Sequence, residues 1–183
     1  MPHLSYAQHF QGVADLFLRD PERYGSMLQF IENVMTRASE LSKSERELLA
    51  AHVSHLNGCG FCVGAHRATL TSMNVAADAI DGAVEDTPAA TDAKFQKLLD
   101  FAGKLTRTPA AIAAGDIADL RLAGWSEQAI EDAINVIALF GYVNRLVDAV
   151  GIEGNDAYFA HVGRAIATQG YAPLIKTALQ KAG

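Results

Sequence analysis

Residues 45–66 of the chain read ERELLAAHVSHLNGCGFCVGAH, and this stretch contains both cysteines of the 183-residue protein. Apolar residues recur three and four positions apart on both sides of Asn57-Gly58, a dipeptide that is typical of turns. The pattern predicts two helices joined by a tight turn, with the second helix beginning at or beside Cys59.

The interval Leu48–His66 is the longest in the chain without Asp, Glu, Lys or Arg, which raises the question of a membrane span. Three histidines, a serine, an asparagine and three glycines interrupt it, and these residues are costly in hydrocarbon. We therefore expect no membrane segment here. The formal charge of −6, from 15 Lys+Arg and 21 Asp+Glu, also provides no basic field that would attract nucleic acid or an anionic membrane surface.

Helical periodicity continues through nearly the whole chain, and alternating Val/Ile/Thr runs are almost absent. Half of the residues are apolar, which is enough for the core of one domain of this length. The sequence therefore predicts a single all-α domain over residues 1–183 with eight to nine helices. The expected helices cover residues 5–18, 21–39, 44–56, 59–73, 91–105, 109–122, 126–150, 155–168 and 173–181.

Proline and glycine positions mark the expected helix ends. Asp20-Pro21 and Thr108-Pro109 each place a capping side chain before a proline, which is typical of a helix start. The polar segment Asp81–Asp92 (DGAVEDTPAATD) is short and is expected to be a surface connection. Three glycines are expected to end helices, namely Gly124, Gly151 and Gly170.

The expected helix over residues 126–150 is apolar around most of its circumference, so we expect it to lie at the centre of the fold. It also carries three polar residues, Asn135, Asn144 and Arg145. On an enclosed helix, each of these side chains needs a hydrogen-bond partner or a route to water.

The first ten residues, MPHLSYAQHF, lack a basic region followed by an apolar one, so no secretory signal or transit peptide is indicated. We therefore expect a cytoplasmic protein. In a reducing cytoplasm, a C-x-x-C pair such as Cys59 and Cys62 is more typical of redox chemistry or metal binding than of a structural disulfide.

The two cysteines share a helical face with His66, because positions 59, 62 and 66 fall within about 60° of arc on a helix. A thiol in the first turn of a helix meets the positive end of the helix dipole, which favours the thiolate. His66 can accept the proton of Cys62. A thiolate attacks the O–O bond of a peroxide to give a sulfenic acid, which condenses with a second thiol to a disulfide. The residues thus predict a redox dithiol with an adjacent base, without a metal or flavin cofactor.

Three other interpretations of the cysteine pair remain open. Both thiols could be small buried core residues that carry no chemistry. Zinc could be bound by the same three side chains with His55 or His52 as the fourth ligand, although both of these histidines are expected to serve in packing or hydrogen bonding. The pair could also form a non-catalytic module that senses oxidation. A thioredoxin-type site is disfavoured, because no strand is predicted before the motif.

Glu47 fits two interpretations. With Ser44 it matches the Ser-x-x-Glu capping box, in which the carboxylate only satisfies a backbone N–H. Ser42 and Glu45 match the same motif, and if that pair caps the helix, Glu47 is free to point inward. Composition alone favours the structural role for Glu47.

Segment 45–66 resembles the core of the alkylhydroperoxidase D (AhpD) and carboxymuconolactone decarboxylase-like superfamily. The redox branch of that superfamily carries a Glu, eleven residues, C-x-x-C, three residues and a His. The flanking stretches LSKSERELL, KLTRTPAAIAAGDIADLRLAGWSEQAIEDAI and FGYVNRLVDAVGIE are similar to parts of its peroxidase-related members, so the resemblance covers about residues 20–155, with a core motif at 44–73. Four residues match the spacing throughout, namely Glu47, Cys59, Cys62 and His66.

The resemblance implies an all-α subunit that assembles into homotrimers or homohexamers, and a thiol peroxidase activity on hydroperoxides. Cys62 would be the peroxidatic thiol, and Cys59 the resolving thiol and proton donor. His66 would be the base near the thiols, polarised by Glu47 at the far end of a proton relay, which reverses the capping preference for Glu47. An unidentified dithiol partner would reduce the resulting disulfide.

One position departs from the family pattern. The best-characterised alkylhydroperoxidase D proteins carry a second histidine between the cysteines, where this chain has Phe61. The aromatic residue removes one proton-transfer group. The decarboxylase branch generally lacks the C-x-x-C pair, so the redox branch is the better match.

Overall fold

The computed structural model describes residues 2–85 and 92–182, and within these ranges the chain forms ten α-helices and no strand. This confirms the predicted all-α class and is close to the predicted number of helices. The helices are α1 (Val13–Arg19), α2 (Pro21–Thr36), α3 (Lys43–Leu56), α4 (Gly60–Ser72), α5 (Ala77–Glu85), α6 (Ala93–Arg107), α7 (Ala114–Leu122), α8 (Glu127–Val150), α9 (Asp156–Gln169) and α10 (Ala172–Ala182).

Helix α3 lies at the centre of the fold. Its residues from Arg46 to Ser54 are all buried, and it packs against α4, α5, α6 and α8. Because Glu47 lies on α3 and both cysteines follow directly after it, the residues with predicted chemistry lie on or beside the most enclosed helix.

Helix α8 is the longest helix and packs against α2, α3, α6 and α7, which confirms its predicted central position. Among the described helices it alone is long and apolar enough to cross a membrane by length and composition. Half of the residues in that apolar window are buried inside the fold, and the core helix of a globular protein passes the same test.

Most helix ends lie where capping residues and glycines predict them. The Asp20 carboxylate accepts a hydrogen bond from the Arg23 N–H at 3.1 Å and caps the start of α2. Gly124, Gly151 and Gly170 have φ values of 95°, 76° and 63°. These values lie in the left-handed region, which favours glycine and ends a helix.

The expected helix over residues 5–18 is wrong in its first half. The chain forms a short 3-10 turn at Ser5–Ala7, and α1 begins only after Gly12, whose backbone is extended. A Cβ atom at Gly12 would lie 2.0 Å from the ring of Tyr158 on α9. A contact with a distant helix therefore interrupts the local periodicity.

The expected surface connection over Asp81–Asp92 is wrong in its first part, which belongs to α5, while residues 86–91 lie outside the described residues. Ile80 and Val84 are buried where α5 packs on α3. Burial of this apolar face stabilises a helix that its acidic residues and glycine disfavour locally.

The expected helix over residues 109–122 is also divided. Pro109–Ala111 form a 3-10 turn, and α7 begins at Ala114. The Asp116 carboxylate accepts hydrogen bonds from the Ala113 N–H at 2.7 Å and from Lys104 at 2.6 Å. These two bonds stabilise the start of α7 at a position that the sequence signal at Thr108-Pro109 did not indicate.

Candidate active site

The turn between α3 and α4 is built as the sequence predicts. Gly58 has a φ of 73°, and its N–H donates to the His55 carbonyl at 2.9 Å. The Cys59 N–H donates to the Ser54 carbonyl, also at 2.9 Å. Cys59 is therefore the N-cap residue of α4, and Cys62 lies in the first turn of that helix.

Both cysteines are free thiols and buried, and they lie close enough for each to shift the pKa of the other. The neighbouring Cys59 is the main cause that lowers the pKa of Cys62, and the charge of protonated His66 and the nearby Asn144 act in the same direction against burial. The same interaction between the thiols, together with burial, raises the pKa of Cys59. Cys62 is therefore the thiol of the pair that ionises more readily.

Glu47 reaches into the site from α3. Its Oε2 atom lies 2.6 Å from Nδ1 of His66, and the exposed fractions of the two side chains are 3% and 6%. The capping box at the start of α3 is formed by Ser42 and Glu45, and the Glu45 carboxylate accepts from the Ser42 N–H at 2.7 Å. The interpretation of Glu47 as a capping residue is therefore wrong, and its side chain points inward as the family resemblance implies.

The orientation of His66 follows from two contacts. A carboxylate that accepts from Nδ1 holds the neutral ring as the tautomer protonated there, so Nε2 is left as the basic nitrogen. The ring also meets the face of Phe140 nearly edge-on, with the centroids 4.4 Å apart. His66 and Cys62 line the same small cavity, and the positive charge of the protonated ring lowers the pKa of that thiol.

A small cavity of about 70 Å³ opens at Cys62 and His66. It has room for a few water-sized molecules. Cys62 lines this cavity, whereas Cys59 does not. The walls are otherwise mostly apolar and include Phe17, Ile31, Phe61, Phe140, Val143 and Val162.

A second cavity of about 300 Å³ lies beside the first, between α1, α9 and α10. The two cavities have several lining residues in common, among them Tyr158 and Tyr171. Burial raises the pKa of Tyr158 to about 12 and that of Tyr171 well above its ordinary value, so both phenols stay neutral. Space for an apolar group therefore adjoins the cavity that contains the thiol.

The roles of Asn144 and Arg145, open from the sequence, differ in the structure. Asn144 is fully buried; its Nδ2 atom donates to Ser54 Oγ at 3.0 Å and its Oδ1 atom accepts from Asn57 Nδ2 at 2.9 Å. Arg145 is exposed and donates to the Gly141 carbonyl of its own helix. Asn144 therefore belongs to the site, and Arg145 does not.

Asp148 is a residue of the site that sequence reasoning missed. It lies one helical turn after Asn144, near enough to Cys59 to contribute to the raised pKa of that thiol. The spacing of two polar residues four apart on an apolar helix is the signal that could have found it. Asn135, the other polar residue considered on this helix, donates to the Glu131 carbonyl at 2.9 Å and is not part of the site.

Neither of the two histidines considered as a further zinc ligand joins the cysteines. His52 is buried with Nδ1 2.7 Å from the Ala83 carbonyl oxygen, and His55 is exposed. Over residues 2–85 and 92–182, no group of three or more His, Cys, Asp or Glu side chains is placed to hold a metal ion. The zinc hypothesis therefore has no support in the described part of the chain.

Comparison with known proteins assigns the segment that contains the motif to a family. Residues 21–103, which include all four motif residues, match the model of the carboxymuconolactone decarboxylase family. No curated protein matches the chain.

Two of the solved structures that the chain resembles are similar over about four fifths of its length. An uncharacterized peroxidase-related protein from Silicibacter sp. TM1040 is 31% identical, with 80% of this chain and 78% of that chain aligned at a TM-score of 0.76. An uncharacterized peroxidase-related protein from Ralstonia eutropha JMP134, described as an alkylhydroperoxidase AhpD core, is 26% identical, with 81% and 78% aligned at a TM-score of 0.74. By its matching motif region and its identity to a relative over most of both chains, the protein belongs to the carboxymuconolactone decarboxylase (AhpD-like) family.

Proposed function

We propose that the protein is a thiol-dependent peroxidase that reduces hydroperoxides through Cys59 and Cys62. The observation that carries the proposal is the position of Cys62, which is the one cysteine that lines the small cavity and whose pKa is lowered by the neighbouring Cys59. A buried histidine held by a carboxylate stands beside that thiol. The two relatives named as peroxidase-related support the same class of reaction.

In the first step, His66 accepts the proton of Cys62, and the buried Glu47 carboxylate stabilises the imidazolium that forms. The thiolate attacks one peroxide oxygen, the O–O bond breaks, and Cys62 becomes a sulfenic acid. The departing oxygen takes the proton from His66 and leaves as an alcohol or as water. The apolar cavity strengthens these charge interactions, because few water dipoles screen them.

In the second step, the Cys59 sulfur attacks the sulfur of the sulfenic acid. The S–S bond forms, the S–O bond breaks, and water leaves. Cys59 and Cys62 lie close enough for each to shift the pKa of the other, and three-residue spacing at the start of a helix suits a disulfide. An external dithiol then returns two electrons by thiol–disulfide exchange, and the cytoplasm that we propose as the location supplies such dithiols.

Phe61 lines the small cavity, at the position where the best-characterised alkylhydroperoxidase D proteins have a second histidine. Its ring packs against Tyr158 and Phe159 with centroid distances of 5.7 and 5.5 Å. Among the described residues, His66 is then the one imidazole that lines the small cavity. The proposal therefore assigns proton transfer at Cys62 to a single histidine.

Two serine variants test the proposal. Reduced protein is mixed with one equivalent of hydrogen peroxide, and turnover is measured with excess dithiothreitol as a generic dithiol. We expect Cys62→Ser to abolish sulfenic acid formation and turnover, and Cys59→Ser to retain a sulfenic acid that dimedone traps. Equal peroxide consumption by wild type and Cys62→Ser would overturn the proposal.

The same samples distinguish the non-catalytic alternatives. A redox sensor loses two thiols after one equivalent of peroxide but shows no sustained turnover with dithiol. A metal site gives about one zinc per chain and protected thiols in protein purified under reducing conditions.

A further inference from the structure

We propose that the outer face of α8 binds a second copy of this chain, with the two copies of α8 antiparallel about a two-fold axis at Ala138. The outer face consists of five residues that are not buried, namely Glu131, Ile134, Ala138, Tyr142 and Arg145. The inference goes beyond the proposed peroxidase function and does not depend on it.

The outer face of α8 leaves apolar surface in contact with solvent. Half of the apolar window on this helix is not buried inside the fold. Tyr142 is 50% exposed, Ala138 is exposed, and Ile134 is half-buried. Beside them lies a groove of about 410 Å³, whose opposite wall includes Leu105 of α6 and Pro109. An apolar face beside a groove is typical of a surface that another protein covers.

The charges on the outer face are arranged for self-association. Glu131 lies seven residues before Ala138, and Arg145 lies seven residues after it. The three positions fall within about 40° of arc on a helix. When two copies pair antiparallel about Ala138, residues at equal distances before and after this position face each other. Each Glu131 then meets Arg145 of the partner subunit, which gives two ion pairs at the ends of the contact.

The apolar residues match under the same symmetry. Ile134 lies four residues before Ala138, and Tyr142 lies four residues after it, so each Ile134 meets Tyr142 of the partner subunit. An apolar centre is thus flanked by charged residues, as in most protein interfaces. One two-fold operation accounts for both the charged and the apolar residues of this face. We therefore assign the face to a second copy rather than to an unrelated protein.

Neither charge has a partner of opposite sign in its own chain. Glu131 and Arg145 are about 21 Å apart along the helix, at 1.5 Å per residue, which is too far for an ion pair. Within the part of the chain that the structure describes, neither side chain forms an ion pair with another residue. Arg145 donates one N–H to the Gly141 carbonyl, and a guanidinium has five such donors. Both groups are therefore free to bind the partner subunit.

The outer face lies on the side of α8 away from the small cavity at Cys62. Phe140 and Val143 are the α8 residues that line this cavity. Their positions are about 160° and 140° of arc from Ala138 on the helix. Association through the outer face thus leaves the cavity open, and assembly can be measured separately from peroxidase activity.

Charge reversal in the full chain tests the pairing. The assembly of reduced protein is measured by sedimentation velocity over a range of protein concentrations, and we expect wild type to associate. Glu131→Arg alone and Arg145→Glu alone each replace two attractive pairs by two like-charge contacts. The concentration needed for half-association should therefore rise at least about tenfold in each variant. Arg164→Glu reverses an exposed charge on α9 and is the control, which should associate as wild type does.

An equimolar mixture of the two single variants is the decisive sample. In a mixed dimer, the chain with two arginines on its outer face meets the chain with two glutamates, so both pairs are attractive again. We expect the mixture, and also the double variant Glu131→Arg/Arg145→Glu, to regain wild-type association. A variant that had failed to fold would not be restored by mixing, and circular dichroism of each variant checks its fold.

Several results would overturn the inference. A monomeric wild type has no such interface, and an assembly that both single reversals leave unchanged is held by another surface. A closed trimer contains no two-fold axis, whereas a dimer or a hexamer of two trimers does. Failure of the mixture to regain association would also contradict the pairing of Glu131 with Arg145. None of these results bears on the peroxidase proposal, which the cysteine variants test.

Discussion

The Nδ1 atom of His66 lies 2.6 Å from the Oε2 atom of Glu47, and both side chains are enclosed by the fold. The two residues come from consecutive helices, α3 and α4, that cross at the cysteine turn. Because the carboxylate is buried, its charge acts on the imidazole with little screening by water. Glu47 is therefore placed to stabilise the positive charge that His66 would gain if, as we propose, it takes a proton from Cys62.

Replacing Glu47 should reduce the reactivity of Cys62 without unfolding the protein. Glu47→Gln keeps an oxygen acceptor for Nδ1 but removes the charge that stabilises the imidazolium. We expect the second-order rate of Cys62 oxidation by hydrogen peroxide to fall at least about tenfold. The measurement is stopped-flow kinetics on the reduced protein.

Glu45→Ala is the matched control for Glu47, since it changes a glutamate two positions earlier on the same helix. Glu45 caps α3 and has no contact with His66. Its replacement should lower stability and leave the rate of Cys62 oxidation unchanged. Equal rates for wild type and Glu47→Gln would remove Glu47 from the proton relay.

The two serines before α3 should differ in their effect on stability. The Ser42 Oγ accepts from the Glu45 N–H at 3.2 Å and is the N-cap of the helix, whereas Ser44 lies inside its first turn. Ser42→Ala should lower the free energy of unfolding by about 1 kcal/mol, and Ser44→Ala should have a smaller effect. Urea denaturation checks both values. A larger loss for Ser44→Ala would contradict the assignment of the cap.

The local part of the site can be predicted from the sequence because it depends on spacing within one helix. Cys59, Cys62 and His66 share a face by position alone, and Asn57-Gly58 defines the turn before them. To predict the direction of the Glu47 side chain, one must also know which of the two overlapping capping boxes forms. Local sequence fits both boxes, and the structure forms the one between Ser42 and Glu45.

The remaining part depends on contacts between distant residues, which helical periodicity does not encode. Asn144 meets Ser54 across 90 positions of sequence. Gly12 breaks the first helix because the ring of Tyr158 occupies the space beside it. The helix α5 forms because Ile80 and Val84 find an apolar surface on α3. Each of these features follows from tertiary packing that overrides a local preference.

The pH dependence of alkylation should reveal the lowered pKa of Cys62. Iodoacetamide reacts with the thiolate, so a pKa below the ordinary value of 9.0 extends the reaction of Cys62 to lower pH. The rate of Cys62 alkylation should fall only when the pH drops below this lowered pKa. Cys59, whose pKa is raised, should remain unlabelled over the same range. Peptide mass spectrometry of protein labelled at a series of pH values checks both statements.

Variants should move this profile in a defined order. Cys59→Ala removes the interaction that lowers the pKa of Cys62 most, so the pH midpoint of Cys62 alkylation should rise. Cys59→Ser keeps an O–H donor, so the midpoint should rise less in that variant. His66→Ala should also raise the midpoint, and replacement of the exposed His55 by alanine should not. An unchanged midpoint in Cys59→Ala would show that the interaction with Cys59 does not control the ionisation of Cys62.

Close packing of α9 on α4 should make Gly163 intolerant of a side chain. A Cβ atom at Gly163 would lie 2.5 Å from the backbone carbon of Ala68 on α4, and backbone cannot move aside as a flexible side chain can. We expect Gly163→Ala to lower the free energy of unfolding by about 1–3 kcal/mol, the usual effect of overpacking. Gly25→Ala on α2 is the control, because a Cβ there meets no atom within 4 Å and alanine favours the helix.

Since α9 also forms walls of both cavities, Gly163→Ala should shift α9 away from α4 and speed alkylation of Cys62 in the folded protein. If Gly163→Ala is as stable as Gly25→Ala, the contact between α4 and α9 is looser than these distances require.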